Sequence, residues 1–330
     1  MSGSQAVVQT AVQGAFQARR TDRLGVHSLD HFSLSAPLDE AAAFYTAFGL
    51  DVDRSEAGLA VRAFEDSHVW ARVIPGDRKR LGYISFGAFE DDLPRFAARL
   101  DALGVVRESH GEAGDALWFR DPHGVLIEIR AAAKVMPDEK PGHQWRSNPA
   151  GVRSAPMRGQ AGTVRPRRLS HALFFTPDIK TSIAFYAEVL GLRLSDFPGP
   201  VAFLHGAHGS DHHLIAFAES STGVGYHHSA WAVASVDEIG VGAAQMAAAG
   251  FDRGWGLGRH VLGSNYFYYV RDPWGSYAEY SFDIDFVPPE QEWSASYPPP
   301  ENSLYLWGPD VPADFVTNFE GAGRAAAEGR

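Results

Sequence analysis

Cysteine is absent from the 330 residues, which rules out disulfides, thiolate nucleophiles and cysteine-ligated zinc or iron–sulfur sites. A chain without disulfides suits the cytoplasm, which is the expected location. A basic excess is missing too: 29 lysines and arginines face 40 aspartates and glutamates, a formal charge of −11. Nucleic acid and anionic membrane surfaces both call for a basic face, so neither is an expected partner. No apolar run approaches the ~20 residues of a membrane-spanning helix. The start, MSGSQAVVQTAVQGAFQARR, lacks the basic residues and apolar stretch of a signal peptide, and none is expected.

What is present is an ordinary globular composition, 45% hydrophobic and 21% charged, at a length that suggests about two domains. The most informative stretch is RHVLGSNYFYYVRDPWGSYAEY, from Arg259 to Tyr280. Its Asp272-Pro273-Trp274-Gly275 is turn chemistry, because proline fixes φ and glycine admits the positive φ of a tight connection. The flanking runs therefore read as a β-hairpin. Glu279 sits mid-strand among apolar and aromatic neighbours, where a lone charge costs several kcal/mol, roughly. A metal ion is one reason for it to be there.

Read in order, residues 1–25 form a polar N-terminal arm. Leu29 to Leu34 reads as a strand, and Pro37 to Phe48 as a helix with Phe44, Tyr45 and Phe48 on one face and Gly49 beyond its end. Strand-like segments follow near 58–64, 68–74 and 82–88, then a helix over Asp91 to Leu103. A pair of strands, Ala116 to Phe119 and Val125 to Arg130, is joined by Asp121-Pro122-His123-Gly124. Residues 133–164 are rich in Pro, Gly, Lys and Arg and read as a linker.

The pattern then begins again. Leu169-Ser170-His171-Ala172-Leu173-Phe174 echoes Leu29-Asp30-His31-Phe32-Ser33-Leu34, and Ala184-Phe185-Tyr186 before Gly191 echoes Ala43-Phe44-Tyr45 before Gly49. Strands near 200–204 and 212–218, another over Tyr226 to Ala234, and a helix from Asp237 to Ala249 lead to the second hairpin. In both hairpins the glutamate lies seven residues after the turn aspartate, Asp121 to Glu128 and Asp272 to Glu279. The chain is therefore a duplication with a period of about 140–150 residues. Its domains are expected at 26–132 and 165–285, with a tail over 286–330 lying on the second.

Three positions in the second half can carry chemistry. His171 and His228 open equivalent strands of the repeat, and Glu279 joins them from the hairpin. Two histidines and one carboxylate on the concave face of a sheet form a facial triad, which leaves about three coordination positions open and suits non-heme Fe(II).

The order His, His, Glu, with gaps of 57 and 51 residues, resembles the type I extradiol ring-cleaving dioxygenases of the vicinal oxygen chelate superfamily. The likeness is carried by Leu169-Ser170-His171 with its following AFYAEVLGLRLSDF helix, by Tyr226-His227-His228-Ser229, and by GLGRH at 256–260 with DPWGSYAEY at 272–280. It implies an α+β fold of tandem βαβββ modules, each an open barrel-like mixed sheet with helices outside. It also implies Fe(II), with Mn(II) as the alternative, held by His171, His228 and Glu279. His213 matches the family's acid/base histidine, His260 a histidine that hydrogen-bonds a substrate hydroxyl or the nearby tyrosine, and Tyr269 the tyrosine that binds a catechol oxygen. Strand alternation leaves one of each doublet, His212–His213 and His227–His228, facing the metal. The implied reaction inserts both atoms of dioxygen into a catechol with cleavage beside the diol, in aromatic catabolism, by a homo-oligomer of four or more subunits.

The first half departs from the pattern, with Tyr83 where the second ligand would stand between His31 and Glu128, so it is expected to hold no metal. Leu173, Trp255 and Leu262 are the expected substrate-pocket residues. Trp255 stands where a carboxylated catechol would call for arginine, which favours a neutral one, although Arg259 or Arg271 could act as an anion clamp. A glyoxalase-type isomerase, a hydroxylating dioxygenase or an aromatic-binding protein are the rival readings. The rival enzymes would not call for His213, His260 and Tyr269 together, and the binding protein would not call for an intact triad.

Overall fold

Glycine and aspartate punctuation divides the chain into short strands. The computed structural model, which describes residues 20–110, 116–140, 142 and 148–321, assembles them into two eight-stranded sheets. Residues 1–19 of the expected arm and 322–330 of the expected tail lie outside the described residues. The first half runs β1 (Ser28–Ala36), α1 (Leu38–Ala47), β2 (Asp51–Ser55), β3 (Gly58–Arg62), β4 (Val69–Pro75), β5 (Arg80–Ala88), α2 (Leu93–Ala102), β6 (Arg107–Glu108), β7 (Leu117–Arg120) and β8 (Leu126–Ala131). Its sheet order is β2-β3-β4-β1-β5-β8-β7-β6. The sheet is thus two βαβββ units side by side, joined where β1 and β5 pair antiparallel.

The second half repeats the plan with β9 (Arg168–Thr176), α3 (Ile179–Leu190), β10 (Arg193–Asp196), β11 (Val201–His205), β12 (Ser210–Asp211) and β13 (Ile215–Glu219), then β14 (Gly225–Ala232), α4 (Val236–Ala248), β15 (Gly254–Arg259), β16 (Tyr266–Arg271), β17 (Tyr277–Phe282) and β18 (Phe286–Val287). The order is β10-β11-β13-β9-β14-β17-β16-β15, and β12 and β18 form a separate pair. Local chemistry sets the ends of these elements. The Asp178 carboxylate accepts from the N–H groups of Lys180 and Thr181 and starts α3, which ends at Gly191 in the left-handed region. Both hairpin turns are closed alike: Asp121 Oδ1 accepts from the N–H of His123 and Val125, and Asp272 Oδ1 from Trp274 and Ser276. No helix among the described residues is long and apolar enough to cross a membrane.

Four strands of the two large sheets escaped the sequence pattern, as did the two-residue strands β12 and β18. β2 is almost wholly exposed, β6 is two residues long and β10 is a short edge strand, so none shows apolar alternation over a useful length. β15 is hidden by its glycines. A Cβ on Gly254 would lie 1.9 Å from the carbonyl oxygen of Tyr269, so only glycine lets β15 approach β16. The strand expected over 212–218 begins only at Ile215, and His212 and His213 lie in the irregular approach to it.

One apolar core runs through both halves. Phe48 stacks on Tyr280 at 3.9 Å, and the Tyr280 hydroxyl donates to the Phe48 carbonyl. Phe32 stacks on Tyr226 at 5.3 Å, and the Tyr186 hydroxyl reaches Asp121 of the other half's turn. Two buried histidines away from the concave face give the fold a pH dependence. Burial pushes His27 down to about 4 and His205 down to about 3. The unfolded chain, with histidines near 6.5, binds more protons below that pH, so stability is full above 6.5 and falls as pH drops toward 4 and 3. At pH 5 the loss is on the order of 2 kcal/mol per histidine. Urea midpoints of metal-free protein at pH 7.5 and pH 5 check this, and a flat profile would refute it.

Candidate active site

Strands β9, β14 and β17 are neighbours at the centre of the second sheet. Their register sets His171 opposite Ala230, and Ala230 opposite Glu279. His228 lies two residues from Ala230 on β14, so the period of two turns all these side chains to one face. The methyl group of Ala230 leaves open the space between the flanking ligands. His171 Nε2 and His228 Nε2 each lie 3.5 Å from Glu279 Oε2, and all three residues are buried. Their donor atoms fall within 4.8 Å of one another.

His228 Nε2 and Glu279 Oε2 are buried atoms with no hydrogen-bond partner. Leaving such atoms unsatisfied is costly, and a cation between them would satisfy both. Two neutral imidazoles and one carboxylate are also a donor set that suits a divalent first-row metal. The residues therefore fit a metal ion.

Two of the three donors, His171 and Glu279, are held from behind. The Ser170 hydroxyl donates to Asp211 (2.8 Å), which is held by both Nη atoms of Arg168, so its oxygen is left to accept from His171 Nδ1 at 3.2 Å. That arrangement leaves the His171 Nε2 lone pair toward Glu279. Asn265 Nδ2 donates to Glu279 Oε1 and to Ser281 Oγ, both at 2.9 Å, and holds the carboxylate in place. Sequence reasoning missed Asn265, Ser170 and Asp211. Ser170 is adjacent to a candidate ligand and was the one legible signal, whereas Asn265 comes into play only through the hairpin.

Beyond the three ligands opens a cavity of about 150 Å³, a volume comparable to one that holds a benzene ring. His213, His260 and Tyr269 join the ligand histidines at its polar end, and Leu173 and Leu262 line its apolar side. The His213 ring lies 4.0 Å from that of His171, centroid to centroid. Burial first, and neighbouring histidines second, push His213 and His228 well below the usual histidine range. His260 is lowered by burial as well, and its Nδ1 donates to the Leu304 carbonyl at 2.6 Å. Its Nε2 is then an acceptor for the Tyr269 hydroxyl at 2.9 Å. Burial, and next the Glu279 carboxylate, raise Tyr269 well above the usual range, so it stays a hydrogen-bond donor.

Two sequence expectations need correction, and the alternative of an arginine clamp finds no support. Trp255 does not line the cavity. Register places Glu279, Tyr269 and Trp255 in one row across three strands, so Trp255 stands behind Tyr269, with Nε1 donating to the Pro309 carbonyl at 2.8 Å. Neither Arg259 nor Arg271 reaches the cavity: Arg259 donates to the Ser264 carbonyl and lies over Tyr266, and Arg271 pairs with Asp314 at 2.6 Å. Finally, alternation excluded His227, yet it lines the cavity with His228, because a bulge in β14 makes His227 an extra residue between the Tyr226 and His228 pairings. A larger cleft of about 960 Å³ lies between the halves along 77–80 and 271–275; it takes in Arg271 but none of the histidines, nor Tyr269 or Glu279.

The equivalent place in the first sheet is filled by protein. Tyr83 replaces His228 and donates its hydroxyl to His31 Nε2 at 2.9 Å, while Ser85 replaces Ala230 and donates to Glu128 at 2.5 Å. Ala216 is a further contrast, within the second sheet. It stands opposite Leu173, two residues after His171, where the next unit has Glu279 opposite Ala230. Among the described residues the group that could hold a metal has three members, and this fourth place carries a methyl group.

Paired βαβββ units with two histidines and a carboxylate on adjacent central strands define a metal site of the vicinal oxygen chelate kind. The family model of the Glyoxalase/Bleomycin resistance protein/Dioxygenase superfamily matches residues 168–280. The chain is 49% identical to metapyrocatechase 2 of Cupriavidus necator over 90% of its own length and 94% of that protein's. It is 31% identical to biphenyl-2,3-diol 1,2-dioxygenase of Metapseudomonas furukawaii over 74% and 80%, respectively. Among solved structures, the Mn(II)-bound glyoxalase of Novosphingobium aromaticivorans matches with a TM-score of 0.70 at 25% identity, over 87% of this chain and 93% of that one. The chain belongs to the extradiol dioxygenases of the vicinal oxygen chelate superfamily.

Proposed function

We propose that this enzyme opens the ring of a neutral, hydrophobically substituted catechol beside its two hydroxyls, using Fe(II) held by His171, His228 and Glu279. The observation that carries the metal assignment is the pair of buried, partnerless atoms His228 Nε2 and Glu279 Oε2, facing each other beside His171 at the end of a ring-sized cavity. When bound, the metal supplies open positions that gather catechol and dioxygen in near-attack geometry and makes the bound phenol more acidic. Mn(II) suits the same donors less well, since two imidazoles favour the later metal.

The chain's own groups supply the rest. Tyr269, kept protonated by burial, gives its one hydrogen to His260 Nε2 in the substrate-free site and turns it from that nitrogen to a deprotonated catechol oxygen when substrate binds. His213 is neutral, its Nδ1 is engaged by His212 at 3.1 Å, and its Nε2 is free to take a substrate proton and return it. The apolar walls exclude water and receive the substituent. In this reading the protein works in the cytoplasm as a homo-oligomer of four or more subunits, which sedimentation would check.

The substrate class follows from what lines the cavity: no lysine or arginine does so among the described residues. A carboxylate there would be desolvated and unpaired, a penalty of several kcal/mol, roughly. Protein loaded anaerobically with Fe(II) is expected to turn over phenyl- and alkyl-substituted catechols with kcat/KM at least about tenfold above a carboxylated one, or about 1.4 kcal/mol in transition-state binding. A carboxylated catechol favoured tenfold would overturn the substrate assignment, and absence of ring-cleaved product by mass spectrometry across the panel would overturn the activity.

A further inference from the structure

His227 lies outside the ligand group and the proton-carrying residues, yet it touches His228 and the C-terminal segment at once. Its Nδ1 lies 2.7 Å from His228 Nδ1, and its Nε2 lies 2.8 Å from the backbone carbonyl of Phe315. A carbonyl only accepts, so His227 Nε2 carries a hydrogen. A second hydrogen on Nδ1 would make a buried cation, and the rings around it are Phe175 at 5.2 Å, Tyr277 at 5.7 Å and Phe315 at 4.9 Å, with no carboxylate hydrogen-bonded to it. An unpaired charge there is costly, so Nδ1 is a lone pair and must accept. Its one partner is His228 Nδ1, which therefore carries the hydrogen, and the His228 Nε2 lone pair is aimed at Glu279.

We infer that His227 is a positioning residue that fixes His228 in its metal-binding tautomer, anchored in turn on the Phe315 carbonyl, so that the C-terminal segment forms part of the metal site. The inference rests on the reading of His228 as a ligand. A second doublet is built the same way: His213 Nδ1 faces His212 Nδ1 at 3.1 Å, and His212 Nε2 faces Asp196 Oδ2 at 2.6 Å. In both, the first histidine spans from a fixed acceptor to the Nδ1 of the histidine that faces the cavity. His227 can take this place because the bulge in β14 keeps it beside His228 instead of turning it to the opposite face.

Two measurements test the inference on the full chain. The first is long-range ¹H–¹⁵N correlation of histidine side chains in the metal-free wild type. It is expected to show His228 with its hydrogen on Nδ1 and His227 with its hydrogen on Nε2. The second is equilibrium dialysis with Co(II). His227→Phe removes the acceptor and is expected to bind Co(II) 10–100-fold more weakly, the range for losing a group that orients a metal-ligating histidine. His227→Asn, whose amide oxygen stands close to the lost Nδ1, should recover part of that affinity.

A wild-type His228 with its hydrogen on Nε2 would overturn the inference, as would a folded His227→Phe that binds Co(II) like the wild type. If His227→Phe does not fold, the wild-type spectrum decides alone. A wild type that takes up no Co(II) would count against the ligand set itself, and the metal-free spectrum still judges the tautomer.

Discussion

Glu279→Gln is expected to abolish metal retention and activity together while leaving the metal-free protein as stable as the wild type or more so. The two effects have opposite signs because the carboxylate is a liability without its cation. One oxygen is held by Asn265 and the other is buried and unpartnered, so a neutral amide in its place removes a desolvation cost. With metal present the balance reverses. The wild type gains stability in proportion to ligand occupancy, and the variant, short of its one anionic donor, does not. Anaerobic loading followed by metal analysis and thermal unfolding reads both effects. Wild-type protein should hold one metal ion per chain, since Tyr83 and Ser85 already satisfy the donors of the first sheet. Two tightly held ions per chain, or a Glu279→Gln protein that still gains stability from Fe(II), would contradict the assignment.

The second large effect is expected at His213. His213→Phe should keep its metal, because the side chain lies beside His171 but outside the ligand group. It should lower kcat by about 10²–10⁴-fold, the range for loss of a positioned acid or base. Phenylalanine preserves the ring packing against Phe203 at 4.9 Å, so the change isolates the proton-carrying nitrogen. If the variant turned over every catechol at the wild-type rate, His213 would have no such role.

What the sequence disclosed, and what it withheld, follows from how each feature is encoded. The duplication was legible because side chains carry it: the two Asp-Pro-x-Gly turns, the aromatic helices and the histidines His31 of β1 and His171 of β9 recur at similar spacing. The second-ligand substitution at Tyr83 could be read by the same comparison. Features made by backbone or register left no such trace. Asn265 reaches Glu279 only because β16 and β17 pair, and Trp255 was misplaced because the position at which a carboxylated catechol would call for arginine was taken to line the cavity. The carbonyls of Leu304 and Phe315, which set two histidines, belong to residues whose side chains say nothing of it. His227 was set aside by a rule of alternation that a single bulge suspends.

The alanine at 216 bears on how one scaffold comes to host different chemistries. A sheet made of two similar units offers matched places around its centre, and here residues that could hold a metal stand at three of them and a methyl group at the fourth. The fourth place is closed by apolar packing, with Ala216 fully buried beside Leu173, Phe175 and Ala218. The cavity beside these places is completed from outside the repeat, by Pro300, Leu304 and Phe315 of the C-terminal segment. Descendants of the same duplication could gain or lose a reaction by changing which of the matched positions stays blank, while the strands that carry them remain as they are.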